Sequence, residues 1–221
     1  MNNKEKLLIL KIARNYEPQF VFDMLSHNKD CESCYKEIVQ NQIDNGINKM
    51  HLPEPWNGHL SKAKVLFISS NPSLGINEIF PTKDWTDENI INFFDNRFVN
   101  ADKKIPRFWQ SISKYVLWLY PESKNLSPTE RLDKYAVSTE IVHCKSLKEK
   151  GVKKCFVEEE KFVNEIVKIF KGDYIIILGK KAIKCTDKLK EIYKTAKIYT
   201  MPHPSAYGVK DDDRRVLLGL K

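Results

Sequence analysis

Residues 64–73 read Lys-Val-Leu-Phe-Ile-Ser-Ser-Asn-Pro-Ser. The five residues from Lys64 to Ile68 are mostly apolar and include two β-branched side chains, which in so short a run is typical of a buried strand. The strand leads directly into small polar residues, which can turn the backbone and offer amide and hydroxyl groups. Because ligands of α/β sheets bind just beyond the carboxyl ends of strands, we expect a binding site after Ile68. An ordinary strand-to-loop turn is the alternative interpretation.

Three later runs also have the composition of strands: residues 135–144, 174–179 and 196–200. Between them lie two helical patterns, one with an apolar face from Phe162 to Phe170 and a Lys-rich one from Lys180 to about Lys194. Alternation of strands and helices indicates a mostly parallel sheet covered on both faces. We therefore predict an α/β fold with three layers, α/β/α, around a central, mostly parallel sheet of four strands.

The length of 221 residues suits a single domain with a substantial core. Within residues 1–221 we expect amino-terminal helices over residues 1–60, which carry a Cys-x-x-Cys motif, and an α/β core over residues 61–208. Residues 74–126 form an aromatic-rich insert in that core, and its aromatic residues at helical spacing are expected to be buried.

The chain carries 37 Lys and Arg against 29 Asp and Glu, a formal net charge of +8. This excess indicates an acidic partner, with nucleic acid as the leading candidate, although a Lys-rich surface can also serve solubility. No apolar run is long enough to span a membrane and no cleavable signal is recognised. We therefore expect a cytoplasmic protein without a membrane partner. In such a protein the five cysteines indicate metal binding or redox chemistry rather than disulfide bonds.

Three features occur in a fixed order along the chain. One is a set of four cysteines, a Cys-x-x-Cys motif followed by two later ones: Cys31, Cys34, Cys144 and Cys155. The second is an Asn-Pro-Ser segment after the first strand, Asn71–Ser73, and the third is a His-Pro-Ser segment after the last strand, His203–Ser205. Together they resemble the uracil-DNA glycosylase superfamily over about residues 31–207, and the cysteine layout is similar to its iron–sulfur family-4 branch. The segments 139–144 and 177–182 match that branch in order and neighbours. The resemblance implies the fold predicted above and a DNA base glycosylase.

The chain departs from the family-4 pattern at two places. Family 4 has Gly-Glu-(Gly/Ala)-Pro-Gly where residues 69–73 read Ser-Ser-Asn-Pro-Ser, and an Asn before the Pro is similar to the mismatch-specific and single-strand-selective branches. The Asn that reads the base in family 4 is replaced by Glu140. The resemblance therefore implies the superfamily and leaves the excised base open.

Hydrolysis of an N-glycosidic bond builds positive charge on the sugar and negative charge on the departing base. The resemblance implies that Asn71 holds the attacking water and that His203 donates a hydrogen bond to the base. Asn is not a strong base, so the rate would depend on stabilising the leaving group. A loop histidine that caps a turn is the alternative for His203.

The resemblance also implies residues that bind the flipped base and the DNA strand. Ser70, Phe80 and Glu140 would contact the base, with Phe80 as the aromatic platform or, alternatively, as a core residue. The expected DNA contacts are two phosphate-binding lysines, two serines and a tyrosine that wedges the base stack: Lys145, Lys148, Ser73, Ser205 and Tyr207. A solvated loop is the alternative for the lysines.

Cys31, Cys34, Cys144 and Cys155 supply four thiolates, the ligand set of a [4Fe–4S] cluster. The same set binds zinc tetrahedrally, and the resemblance favours iron–sulfur in a structural role. Cys185 is expected to take no part.

The predicted function is excision of a deaminated base, uracil or a related one, from single- or double-stranded DNA by a monomeric enzyme. A superfamily member that binds nucleic acid without cleaving it is one alternative. A zinc-stapled α/β enzyme that acts on small nucleotides is another.

Overall fold

The structure is a computed structural model that describes residues 1–100, 105–193 and 195–220, with the backbone alone at Cys185. The strands are β1 Asn57–Gly58, β2 Val65–Ser69, β3 Ala136–Glu140, β4 Tyr174–Leu178 and β5 Lys197–Met201. The α-helices are α1 Asn3–Ala13, α2 Tyr16–Ser26, α3 Lys36–Asp44, α4 Asp87–Asp95, α5 Arg107–Leu119, α6 Pro128–Tyr135, α7 Val152–Ile169, α8 Thr186–Ile192 and α9 Asp211–Leu217. Short 3-10 helices cover Pro121–Asn125, Leu147–Glu149 and Ala182–Cys185.

The sheet has the strand order β1-β3-β2-β4-β5. Strands β3, β2, β4 and β5 are parallel, as predicted, while β1 pairs antiparallel with β3. The predicted count of four strands is therefore wrong by one. The edge strand β1 is two residues long and contains Gly58 at φ +96°, where a Cβ would lie 2.7 Å from the Phe98 ring. So short a strand has no alternating pattern that could reveal it in the sequence.

Alternate residues of β2 point to opposite faces of the sheet, as the twofold period of a strand requires. Leu66 and Ile68 pack into one core with buried residues of α1, α3 and α7. Val65 and Phe67 pack into a second core with α5 and α6. Helices thus cover both faces of the sheet, which confirms the predicted three layers.

The structure differs from the predicted elements at two further places. The predicted strand over residues 135–144 ends at Glu140, because the amides of Ile141 and Val142 turn to bond the carbonyls of Ser69 and Ser70. Helix α6 was not predicted, although Ser127 and Glu130 form a capping box at its start.

The aromatic-rich insert contains α4 and α5, and its residues 101–104 lie outside the described part of the chain. No helix among the described residues combines the length and the apolar character needed to cross a membrane.

Candidate active site

A cavity of about 400 Å³ opens at the carboxyl edge of the parallel sheet. Asn71, which follows β2, and His203, which follows β5, both line it, together with Glu140 at the end of β3. The predicted pair therefore shares one cavity. Their strands are not neighbours in the sheet, because β4 lies between β2 and β5. Gly179, at φ +91°, follows β4 directly and lies beside His203, and a Cβ there would lie 3.4 Å from the His203 Cβ.

Asn71 is held by its side-chain nitrogen. Nδ2 donates to the carbonyls of Pro72 and Cys144 at 3.0 and 3.2 Å and lies 3.0 Å from the Ser146 hydroxyl. Within the described residues, all hydrogen bonds of this side chain use Nδ2. The carboxamide oxygen is therefore the atom left to accept a hydrogen bond from a water in the cavity.

His203 is held in one tautomer. Its Nδ1 accepts from the Ser205 amide at 3.2 Å and lies 2.7 Å from the Ser205 hydroxyl, so the proton of the neutral ring is on Nε2. Phe108 stacks on the ring with centroids 5.6 Å apart. Burial lowers the pKa of His203, and the Arg214 charge lowers it further while Glu149 opposes them. His203 is therefore neutral near pH 7 and offers an N–H donor.

Glu140 is buried at the end of β3, opposite Ser69 of β2 in the sheet register. The Ser69 hydroxyl donates to its carboxyl group. Burial raises the pKa of Glu140 to about 8, with the charge of Glu54 in the same direction, while the Ser69 hydrogen bond and the Lys145 charge oppose the rise. Glu140 is therefore mostly protonated near neutral pH and can donate a hydrogen bond.

Buried charges form one wall of the cavity. Lys145, only 3% exposed, pairs with Glu78 at 2.8 Å and with Glu54 at 3.3 Å. Arg97 pairs with Glu78 and lies over aromatic rings of the insert. Burial alone would raise the pKa of Glu54, but the Lys145 and Arg97 charges and the Asn57 hydrogen bond hold it below its usual value. Glu54 is therefore ionised, and this wall carries fixed charges.

The burial of Lys145 corrects its predicted role as a phosphate contact. An ammonium group enclosed between two carboxylates is already paired, and a phosphate on the surface cannot reach it without breaking those pairs. Lys145 lines the cavity instead.

Phe80 also differs from its predicted role. The side chain is 3% exposed, stacks on His51 with centroids 5.2 Å apart, and has the Lys145 Nζ 3.9 Å from its ring centre. Its neighbours in the insert, Phe93 and Phe94, pack edge-on against it. Phe80 is a core residue and does not line the cavity. Two aromatic side chains near the start of α5 do so, Phe108 and Trp109.

A second cavity of about 570 Å³ shares Asn71, Ser73 and His203 with the first. Ser70 lines it, together with a row of charged residues, Lys148, Glu149, Lys180 and Lys181. The Ser70 hydroxyl donates to Glu149, so it is held by a carboxylate. Lys148 is exposed, as a phosphate contact would require.

A third cavity of about 630 Å³ shares Phe108 and His203 with the first. Helix α5 contributes two cations to it, Arg107 and Lys114, and Ser205 contributes from the loop after β5. Tyr207, two residues further on, is wholly exposed, the position that a wedge into DNA would need. The three cavities meet at His203.

Three of the four predicted ligand cysteines come together. The interaction with Cys34 and burial raise the pKa of Cys155. Burial raises the pKa of Cys144, with the Glu159 charge and Cys34 in the same direction. Cys31, in an irregular segment, packs against the same core. Within residues 1–100, 105–193 and 195–220, no group of three or more Cys, His, Asp or Glu is arranged to hold a metal ion. The expectation for Cys185 lies outside the described side chains.

Several residues of the site were not predicted from the sequence. Glu54 comes from the Pro-containing loop before β1, Asn57 from β1 itself, and Arg97 from the insert. Glu54 lies between two prolines in a short polar segment, a composition that marks loops but does not reveal a buried charge. Phe108 is one of the aromatic residues of the insert that were expected to be buried, and Pro106 before it marks the start of the helix that directs it to the cavity.

No protein-family model and no curated protein matches the chain. Among solved structures, the chain is similar to one described as the crystal structure of mimivirus uracil-DNA glycosylase. The two are 16% identical with a TM-score of 0.43, and the similarity covers 91% of this chain and 73% of that one. At this identity and TM-score the likeness carries no argument about function.

Proposed function

We propose that the protein is a DNA base glycosylase that flips a deaminated base, uracil or a related one, out of DNA and hydrolyses its N-glycosidic bond. The carrying observation is the meeting of three cavities at His203, in which a central cavity of about 400 Å³ is flanked by two that contain basic side chains. A cavity of this size lies in the range of small-molecule sites. The flanking cations suit the phosphates on either side of a flipped nucleotide.

The chemistry follows from two of the residues that line the central cavity, Asn71 and His203. The Asn71 carboxamide oxygen accepts a hydrogen bond from the attacking water and positions it. The His203 Nε2–H donates to an oxygen of the base as negative charge develops there. A neutral imidazole fits this role because it stabilises the departing base without first having to be charged.

Base selection is assigned to Glu140. A protonated carboxyl group has one donor and one acceptor, which is the pattern that a uracil edge requires and that an ionised carboxylate lacks. Ser69 keeps the side chain in place. The base would stack on Phe108 rather than on Phe80, because Phe108 lines the cavity.

The DNA strand would run along the flanking cavities, with the protein acting as a monomer. Lys148 and Ser73 on one side, and Ser205 on the other, are available to phosphates. Tyr207 would enter the space that the flipped base leaves, since its ring is free of protein contacts that a wedge would have to break.

The four cysteines are proposed to hold a [4Fe–4S] cluster, with zinc as the other metal that the thiolates could take. The observation that fits is that Cys34, Cys144 and Cys155 lie close enough to influence one another's pKa values. Metal binding would have to draw the thiols together, because the described residues hold no ready-made group of three or more ligands. The cluster would be structural and would tie the segment before α3 to the start of α7. A broad visible absorbance band after anaerobic purification, with iron and sulfide in equal amounts, would support it. One zinc ion per protein molecule would instead identify a zinc site.

The proposed activity is tested by incubating the protein with oligonucleotides that contain one uracil, hypoxanthine or xanthine. Alkaline cleavage of the product reveals abasic sites. We expect cleavage at one or more of these bases and none with the undamaged strand. Tight binding of every oligonucleotide without cleavage would instead identify a nucleic-acid-binding protein.

A further inference from the structure

We infer that Glu149 is a catalytic carboxylate of this site, the group that takes a proton from the attacking water. The inference rests on the proposed function. Its starting point is a chemical gap: Asn71 can position a water but cannot accept its proton. Asn71 and His203 line both the central and the second cavity. The carboxyl groups of the central cavity are unsuited to the task, because Glu54 and Glu78 are paired with Lys145 and Glu140 is mostly protonated. Among the described residues that line the second cavity, the carboxylate is that of Glu149.

Three loops of the site hold Glu149 in place. Glu149 itself comes from the segment after β3, the Ser70 hydroxyl donates to it from the end of β2, and Lys181 Nζ donates at 2.6 Å from the segment after β4. The charge of Glu149 also acts on His203, beyond β5. Glu149 therefore connects the exits of the strands that form the cavity.

The backbone at this position is unusual. Lys148 and Glu149 have φ values of 56° and 54° in succession, a left-handed conformation that residues with a Cβ rarely adopt. Such conformations persist where the surrounding contacts demand them, and they are common at functional sites. Here the conformation turns the Glu149 carboxylate into the cavity that Asn71 lines.

The charge state of Glu149 suits a proton acceptor. Partial burial by itself raises the pKa, but the hydrogen bonds from Lys181 and Ser70 outweigh it and hold the pKa of Glu149 below its usual value. The carboxylate is thus ionised near neutral pH. Its negative charge also favours the positive charge that develops on the sugar.

The step balances as follows. The water oxygen forms a bond to C1′ of the sugar, and the C1′–N bond breaks with its electron pair leaving on the base. The water proton passes to Glu149. The base leaves as an anion that the His203 N–H stabilises and takes up a proton from solvent, and Glu149 returns its own proton to solvent.

The test compares Glu149→Gln with a matched control, Glu165→Gln. Glu165 pairs with Lys11 at the same distance, 2.6 Å, and its side chain has the same exposure, 39%, as that of Glu149. It lies on α7 and lines none of the three cavities. Single-turnover excision at saturating protein should fall about 10²- to 10⁴-fold in Glu149→Gln. It should be unchanged in Glu165→Gln, and both variants should bind the same oligonucleotide as well as the wild type.

Chemical rescue separates a catalytic role from a structural one. Added formate should accelerate excision by Glu149→Ala, because a small carboxylate can occupy the vacated space, and should not accelerate the wild type. A full rate in Glu149→Gln would overturn the inference, as would a slow Glu149→Ala that formate does not accelerate. In either case the wild type still releases base and the proposed function stands. A wild type that releases no base overturns the proposed function itself.

Discussion

Replacing Glu140 by Gln tests the electrostatics of the cavity most sharply. The variant keeps the shape of the side chain and an oxygen that can accept from Ser69, but it cannot ionise. Below pH 4.5 Glu140 is protonated in both the folded and the unfolded wild type. As the pH rises towards 8, the unfolded chain releases this proton while the folded protein keeps it, so the wild type loses stability relative to Glu140→Gln. Above pH 8 the difference is constant.

The size of the effect follows from the raised pKa. The ordinary value is 4.5 and the folded value is about 8, and each pH unit between them is worth about 1.4 kcal/mol. The ceiling is therefore about 5 kcal/mol. Water that enters the cavity reduces the cost of burying a charge, and we expect roughly 2–4 kcal/mol in favour of Glu140→Gln above pH 8.

The assay is urea unfolding of both proteins at intervals from pH 4.5 to pH 9. Glu54, Lys145 and Glu149, the charged groups that act on Glu140, are present in both proteins, so their contributions largely cancel in the difference. Equal pH dependence of the two free energies of unfolding would refute the assignment of a protonated Glu140. In the same series, uracil excision by the wild type should be weak or fall as pH rises, and Glu140→Gln should raise it.

Three further predictions concern separate parts of the molecule. Lys145→Met leaves the buried Glu54 carboxylate without its paired cation, while Glu78 keeps Arg97, and should cost about 3–5 kcal/mol of unfolding free energy; weaker DNA binding at unchanged stability would restore its role as a phosphate contact. Gly58→Ala should cost about 2 kcal/mol or more and exceed the cost of Gly46→Ala in denaturant unfolding, because both have positive φ but only at Gly58 would a Cβ lie 2.7 Å from a ring and 2.8 Å from a carbonyl oxygen; equal costs would exclude the steric reason. Tyr207→Ala should change the unfolding free energy by less than about 0.5 kcal/mol and should slow excision from double-stranded DNA more than excision from single-stranded DNA. An equal effect on the two substrates would argue against a wedge.

The parallel strands were predictable because their runs are short, apolar and separated by helical patterns. The run from Val65 to Ile68 has no polar residue, and a strand buried on both faces requires this composition. The same reasoning located Asn71 and His203, since both follow directly after such strands. Strand β1 could not be found in this way, because its pairing with β3 comes from tertiary contacts.

The buried charges of the cavity could not be predicted from sequence patterns, for a different reason. Lys145 stands in a basic segment that reads as a solvated loop, and its burial depends on Glu54 and Glu78, which are 91 and 67 residues away in the chain. The sequence around Phe80 did not decide its role, because an aromatic residue that lines a site and one that packs in the core occur in similar sequence surroundings. Glu149 gave no signal, since its backbone conformation and its partners appear only in the folded chain.

Cleavage of an N-glycosidic bond in this cavity releases two products, a free base and an abasic site, and both can be measured in one reaction. An oligonucleotide with a single uracil is incubated with excess protein, the free base is quantified by mass spectrometry, and abasic sites are counted in the same sample. We expect equal amounts of the two products, formed about ten- to a thousand-fold more slowly by Asn71→Ala and by His203→Ala. Equal rates in the wild type and both variants, or no free base from uracil, hypoxanthine or xanthine, would contradict it.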